Sequence, residues 1–241
     1  MSKVDFLLHL PIAHRGLHKG LSAPENTLVA FQKAVDGHFP IELDCHMIKS
    51  GEVVVFHDDS FMRMCGIDKE VANCTLTEVR ELFIKRTRER IPLLSEVLAA
   101  INGKVPILIE LKCDQPTGKL EQAVLNILKG YKGKYAFQSF SPLTLRWLKK
   151  HAPEAPRGLL ASDFKNDKTI ARIPRIALKN LWLFPIAKPD FISYNFRALP
   201  NKRVEKLRNQ GIPVLGWTIR KVSESREALK YCDNVICEEI L

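Results

Sequence analysis

A closed barrel of eight parallel strands with helices between them, the (β/α)8 or TIM-type α/β fold, is what this sequence predicts, on three observations. The first is recurrence: short apolar runs alternate with stretches of helical periodicity along the chain. The second is number. Eight such runs occur, and eight parallel strands with crossover helices close into a barrel, an open doubly wound sheet being the alternative. The third is size: 241 residues, 46% hydrophobic, lie in the range where an α/β barrel forms one domain.

The strand candidates are Pro11–His14, Ile41–His46, Val105–Lys112, Tyr135–Phe140, Gly158–Ala161, Asp190–Asn195, Pro213–Thr218 and Val235–Glu238. After the first, Leu28, Phe31, Ala34 and Val35 fall at helical spacing, with Gly37 just beyond. Ser141-Pro142 sets a capping residue before a first-turn proline, and Asn209-Gln210-Gly211 ends a helix that begins near Asn201. One segment breaks the rhythm. Glu52–His57 also reads as a strand, but only Lys49-Ser50-Gly51 separates it from the preceding one, a turn too short for a parallel crossover, so it folds back as a hairpin. From Asp58 to Gly103 two helical patterns follow, around Thr77–Phe83 and Ser95–Ile101, with no barrel strand before Pro106. Residues 58–104 are therefore expected to form a small helical insertion over the barrel mouth, within a single domain spanning 1–241.

Thirty-seven basic residues against 27 acidic ones give a formal charge of +10, which attracts anions. The basic residues are spread over helical stretches and accompany no nucleic-acid-reading motif, so nucleic acid is not an expected partner. Six cysteines form no CxxC pair in a chain too large to need stapling, which fits reduced thiols in a cytosol. Met1–Pro11 lacks a signal-peptide pattern, and no apolar run approaches the ~20 residues that span a bilayer, so the expected location is cytoplasmic. Asp163–Pro189 is basic and apolar together, with Trp182 and Phe184. An outer barrel helix is the favoured reading there over a membrane-touching one. Nothing in the sequence specifies an oligomeric state.

The chemistry-bearing residues follow from strand parity. In Ile41–His46 the odd positions share one face, and Glu42, Asp44 and His46 share the other. Two buried carboxylates on one face need positive compensation, from a cation or from neighbouring Arg or Lys. Leu108–Lys112 repeats the arrangement, pointing Glu110 and Lys112 inward, and three carboxylates from two strands suit a hard divalent cation, Mg²⁺ or Ca²⁺. Lys112 either binds an anionic substrate as a point charge, the favoured reading, or pairs with Glu110. His14 and His57 both stand at strand exits beside this cluster, as a general acid and base would. His46 is the reserve, while His9, His18, His38 and His151 read as surface or supporting residues. Arg15 offers a planar fork to phosphate oxygens, and Gly16 allows close backbone approach.

In order, His14-Arg15-Gly16, Pro24-Glu25-Asn26-Thr27, Glu42-Leu43-Asp44 and His57-Asp58 resemble the signature of glycerophosphodiester phosphodiesterases. Glu110-Leu111-Lys112, Gln138-Ser139-Phe140 and Gly216-Trp217-Thr218 are similar to later strands of that family, so the resemblance covers essentially the whole chain. It implies a TIM barrel with a small insertion after the histidine-aspartate motif, and metal-dependent hydrolysis of a small-molecule glycerophosphodiester to sn-glycerol 3-phosphate and an alcohol. It also implies His14 and His57 as the acid-base pair, Glu42, Asp44 and Glu110 as metal ligands, Arg15 and Lys112 as phosphate holders, and Trp217 as a pocket wall, against the default of a core tryptophan. Pro24–Thr27 is either a structural turn or, through Glu25, a source of a ligand. The family's Ile-Thr-Asp-like ending is replaced here by Ile236-Cys237-Glu238-Glu239-Ile240-Leu241, so a curtailed last loop is expected. Two alternatives stand beside hydrolysis of soluble glycerophosphodiesters: a lysophospholipase D-type lipid phosphodiesterase, and a catalytically silent phosphoester-binding barrel.

Overall fold

The computed structural model describes residues 3–112, 116–165 and 172–238, with the side chains of 172–175 excepted. Among them nine strands form: β1 Ile12–Ala13, β2 Ile41–Met47, β3 Val53–Val55, β4 Ile107–Leu111, β5 Tyr135–Ser139, β6 Arg157–Ala161, β7 Phe191–Asn195, β8 Val214–Ile219 and β9 Asn234–Cys237. Every neighbouring pair around the ring is parallel, and β1 joins both β2, through Ala13 beside Ile41, and β9, through Ala13 beside Cys237. Those two pairings close the eight-stranded barrel. The ninth strand, β3, runs antiparallel to β2, and the positive φ of Gly51 (98°) makes the tight turn between them.

Side-chain chemistry at the helix starts explains where several helices begin. Thr27 accepts from the Ala30 amide and starts helix Leu28–Asp36; Ser141 accepts from the Thr144 amide and starts Pro142–His151. Asn201 accepts from Arg203 and Val204 and starts Lys202–Asn209, which closes at Gln210 just before Gly211. Of the basic-apolar segment, helices Arg172–Lys179 and Phe184–Ala187 are described, while residues 166–171 lie outside the described residues, as do Cys113 and Glu239, Ile240 and Leu241.

Strand alternation builds two cores. Ile41, Leu43, Cys45, Ile107, Ile109 and Leu111 face outward and pack with Phe31, Ala34, Leu145, Leu148, Val204 and Leu207 of the surrounding helices. Inside the barrel, Ile12, Leu108, Ala136, Phe191, Leu215 and Ile236 form an apolar floor, and Val4 and Leu7 plug it from beneath. Gly158 is required there, because a Cβ would come within 2.2 Å of the Phe191 ring. With the floor apolar, the polar inward residues are left nearer the other end, where barrel chemistry sits.

The region after β3 divides differently from the expected insertion of 58–104. Phe61, Met64, Val71, Val79, Ile84 and Ile91 pack on Val54 and Phe56 as a separate small core. Helix Leu94–Ile101 does not join it. Its buried Leu94, Val97, Leu98 and Ile101 pack into the barrel's outer core instead, so it serves as the crossover helix between β2 and β4. The reason is its apolar stripe, which needs a long partner such as helix Leu28–Asp36 that the small core lacks.

Candidate active site

Register brings the predicted acids together. Asp44 pairs with Glu110 across β2 and β4, Glu42 lies two residues earlier on the same face, and the three buried carboxylates offer oxygens within 4.8 Å of one another. Each is held from outside the cluster. Glu42 accepts from the Arg15 amide at 3.1 Å and from Gln138 Nε2 at 3.1 Å, and Gln138 in turn accepts from Ser193 Oγ at 2.8 Å. Asp44 accepts from Asn26 Nδ2 at 2.8 Å. The Lys112 ammonium lies 2.7 Å from Asp44 and 2.5 Å from Glu110, so in this structure it takes the pairing alternative, extended to two acids.

Charge makes this cluster unlike a satisfied core network. Burial, then the neighbouring Asp44 and Glu110 charges, push the Glu42 carboxyl well up, with Arg15 and Lys112 only moderating the rise. Burial raises Glu110 too. Asp44 goes the other way: burial opposes its ionisation, but Lys112 and Arg15 outweigh burial and hold it well below the usual carboxylate range. Three buried carboxylates thus face two cations, which fits a site for one hard divalent cation with all-oxygen ligands.

Both histidines stand at the mouth, each with a carboxylate on Nδ1. His14 donates to Glu238 Oε1 at 2.7 Å, and Glu238 is clamped by Arg220 at 2.7 and 3.3 Å. Burial, opposed by the bond to Glu238, lowers His14 to about 4; Glu238 resists its own burial through bonds from His14 and Arg220 and sits at about 2. At neutral pH His14 is therefore a neutral imidazole whose proton is on Nδ1. Its Nε2 is free of a proton and lies 3.9 Å from Glu42. His57 donates from Nδ1 to Asp58 at 2.6 Å, and Asp58 is held by Arg63 at 2.5 and 3.0 Å. His46, the reserve, is buried and donates from Nε2 to the His57 carbonyl at 3.2 Å, beneath the site.

The Pro24–Thr27 loop now has a residue-by-residue account. Glu25 accepts from Arg15 at 2.6 Å and from Arg63 at 2.9 and 2.7 Å, Asn26 positions Asp44, and Thr27 caps the helix. Glu25 is thus an arginine holder outside the carboxylate trio. His14, Arg15, Glu42, His57, Glu110 and Gln138 line one cavity, which Phe140, Leu160, Trp217, Thr218 and Ile236 complete. Phe140 meets Trp217 edge-on with centroids 5.8 Å apart, and the buried Trp217 Nε1 has no protein partner. A wider groove at the opposite end, lined by Phe6, Leu10, Pro40, Pro106 and Lys134, has no comparable cluster of acids.

Residues that sequence reasoning did not single out are Glu238 as a partner of His14, Arg220 and Arg63 as carboxylate clamps, and Gln138 as the support of Glu42. Strand order in a closed barrel was the available signal for Glu238, since the last strand must lie beside the first. For the arginines no local signal exists.

Comparison with known proteins agrees with the barrel fold. The model of the "Glycerophosphoryl diester phosphodiesterase family" matches residues 14–238. A glycerophosphodiester phosphodiesterase of Caldanaerobacter subterraneus subsp. tengcongensis is 29% identical over 95% of this chain and 94% of its own length. Among solved structures, an Oleispira antarctica phosphodiesterase in complex with the product sn-glycerol-3-phosphate superposes with a TM-score of 0.81 at 25% identity, covering 98% of this chain and 95% of the other. A Thermotoga maritima glycerophosphodiester phosphodiesterase gives 0.73 at 26% identity, covering 96% and 95%. A matched barrel and a matched span lead to one conclusion: this chain is a phosphoric diester hydrolase that belongs to the glycerophosphoryl diester phosphodiesterase family.

Proposed function

We propose that this protein hydrolyses small, soluble glycerophosphodiesters to sn-glycerol 3-phosphate and an alcohol, with a divalent cation, Mg²⁺ or Ca²⁺, as cofactor. The observation that carries the reading is the trio Glu42, Asp44 and Glu110, buried against only two cations and flanked by two carboxylate-bound histidines. The name of the Oleispira relative's ligand, sn-glycerol-3-phosphate, supports the choice of substrate.

Glu42, Asp44 and Glu110 would hold the cation, which when bound supplies Lewis-acid neutralisation of charge on the phosphoryl oxygens. Arg15 and Lys112 hold the phosphate group by charge and hydrogen bonds. His14 is the proton acceptor, because its Nε2 is unprotonated at neutral pH, and His57 is then the donor to the leaving alkoxide. Glu238 and Asp58 keep each Nδ1 proton in place and so decide which nitrogen works. Trp217 and Phe140 wall the organic side of the substrate and keep water away from it.

No helix among the described residues is long and apolar enough to cross a membrane. The described cysteines are all free, and this supports the proposed cytoplasmic placement. A lipid substrate of lysophospholipase D type is the second reading, favoured by exposed Trp182 and Ile186 beside Lys188, and by a lysophospholipase D of Rattus norvegicus that is 36% identical over 46% of this chain. The test is release of glycerol 3-phosphate from glycerophosphocholine and glycerophosphoethanolamine by chelated protein, with Mg²⁺ or Ca²⁺ added back, beside lysophosphatidylcholine in detergent. Metal-restored activity on the soluble diesters is the expected result. Activity on the lysolipid alone would replace the first reading with the second, and none on any diester would leave a silent binding barrel.

A further inference from the structure

A second group of metal-binding side chains lies beside the carboxylate trio and differs from it in chemistry. His14, His18 and Glu238 present ligand atoms within 4.8 Å of one another. The fold brings them together by two routes. Barrel closure sets His14 beside Glu238, because the His14 amide donates to the Cys237 carbonyl at 2.9 Å and the two residues continue neighbouring strands. A reversal at Arg15 (φ 55°) and Gly16 (φ 79°) then returns the chain so that His18 reaches the same point. Gly16 is needed for this turn, since a Cβ there would come within 2.9 Å of the Ala30 backbone and the Phe31 ring.

Two imidazoles and one carboxylate are not ligands that Mg²⁺ or Ca²⁺ selects, because those hard ions take oxygen almost exclusively. Zinc takes this set readily and in tetrahedral geometry, with the fourth position left to water. Arg220 competes for Glu238, but its side chain is 52% exposed and can turn into solvent.

We propose that His14, His18 and Glu238 form a zinc site separate from the carboxylate trio, and that zinc bound there switches the enzyme off. The inhibitory half rests on His14 being the proton acceptor. In the zinc-free protein the proton of His14 is on Nδ1, bonded to Glu238, and Nε2 faces the cavity. Zinc on Nδ1 displaces that proton, which solvent carries to Nε2, and a Zn–N bond takes the place of the N–H bond. The ring remains neutral only if a proton occupies Nε2, and an imidazole protonated there accepts nothing. His18 takes no part in the proposed hydrolysis, so it is the residue through which the site can be separated from catalysis.

The test uses chelated protein reloaded with a large excess of Mg²⁺, zinc titrated by calorimetry, and glycerophosphocholine hydrolysis followed in parallel, for wild type, His18→Gln and His18→Asn. Wild type should bind zinc despite the Mg²⁺ and lose activity as it does so. Both variants should keep the Mg²⁺-dependent rate, bind zinc at least ~10-fold more weakly and need at least ~10-fold more of it for inhibition. Equal zinc affinity in all three proteins, or displacement of zinc by Mg²⁺, would overturn the site. Zinc bound through His18 with hydrolysis untouched would overturn the inhibition and, with it, the acceptor role of His14. If no protein hydrolyses the diester, the function reading fails while the calorimetry still decides the site.

Discussion

Replacing Glu25 by Gln tests a run of charges that ties the small core after β3 to the barrel. Its carboxylate, 12% exposed, is the shared acceptor of Arg15 at 2.6 Å and of Arg63 at 2.9 and 2.7 Å. Burial alone would raise its pKa, but Arg63 and then Arg15 reverse the effect and hold it at about 2, against an ordinary value of 4.5. A carboxyl depressed by folding stabilises the native state fully above its unfolded pKa, and that stability drains away as pH falls through the folded one. The gap corresponds to roughly 3 kcal/mol at neutral pH, of which roughly 2 kcal/mol should disappear between pH 6 and pH 3. Urea unfolding of metal-free wild type and Glu25→Gln at those two pH values measures it. The wild-type advantage should shrink by about 2 kcal/mol on acidification, and an advantage that stays constant would refute an ionised Glu25 as the source of the stability.

Three other outcomes are expected. His14→Gln and His57→Gln should each lower kcat by ~10²–10⁴ with unfolding curves unchanged, and near-normal turnover in either would remove that residue from the chemistry. Glu110→Gln should raise the metal concentration for half-maximal activity by at least ~10-fold; a titration matching wild type would mean that the trio does not hold the cofactor. Gly158→Ala should destabilise the barrel by ~1–3 kcal/mol in chemical denaturation, since the new methyl must push the Phe191 ring from a floor that has no slack.

The fold was legible because it is written locally. Strand parity needs only neighbours in sequence, and it placed Glu42, Asp44 and Glu110 on inward faces before any pairing was known. Capping residues such as Ser141 and Asn201 announced helix starts in the same way. What could not be read locally was the allocation of helix Leu94–Ile101, whose apolar stripe is compatible with either core until the partner helix is in place. The bottom plug of Val4 and Leu7 is another case, because a two-residue contact leaves no periodic trace. Lys112 was legible as an inward cation, but its choice between substrate and carboxylates depends on Asp44, which belongs to a different strand.

The supports of the two histidines belong to the same class of non-local fact, and they explain why the insertion is part of the candidate site's construction. Glu238 reaches His14 across 224 residues of sequence, a contact created solely by barrel closure. The matching contact for His57 is its neighbour Asp58, but the arginine that clamps it, Arg63, lies in the helix Met62–Cys65 at the start of the small core and also grips Glu25. One imidazole is thus aligned by the rigid ring of strands, and the other by a device that works only when the small core is docked on the barrel. Both use an ionised carboxylate kept in place by an arginine, so that each ring's Nδ1 is committed to a structural bond, which in the proposed mechanism leaves Nε2 for the chemistry. Loss of the Arg63 clamp would therefore act on His57 and on Arg15 together, through Asp58 on one side and Glu25 on the other.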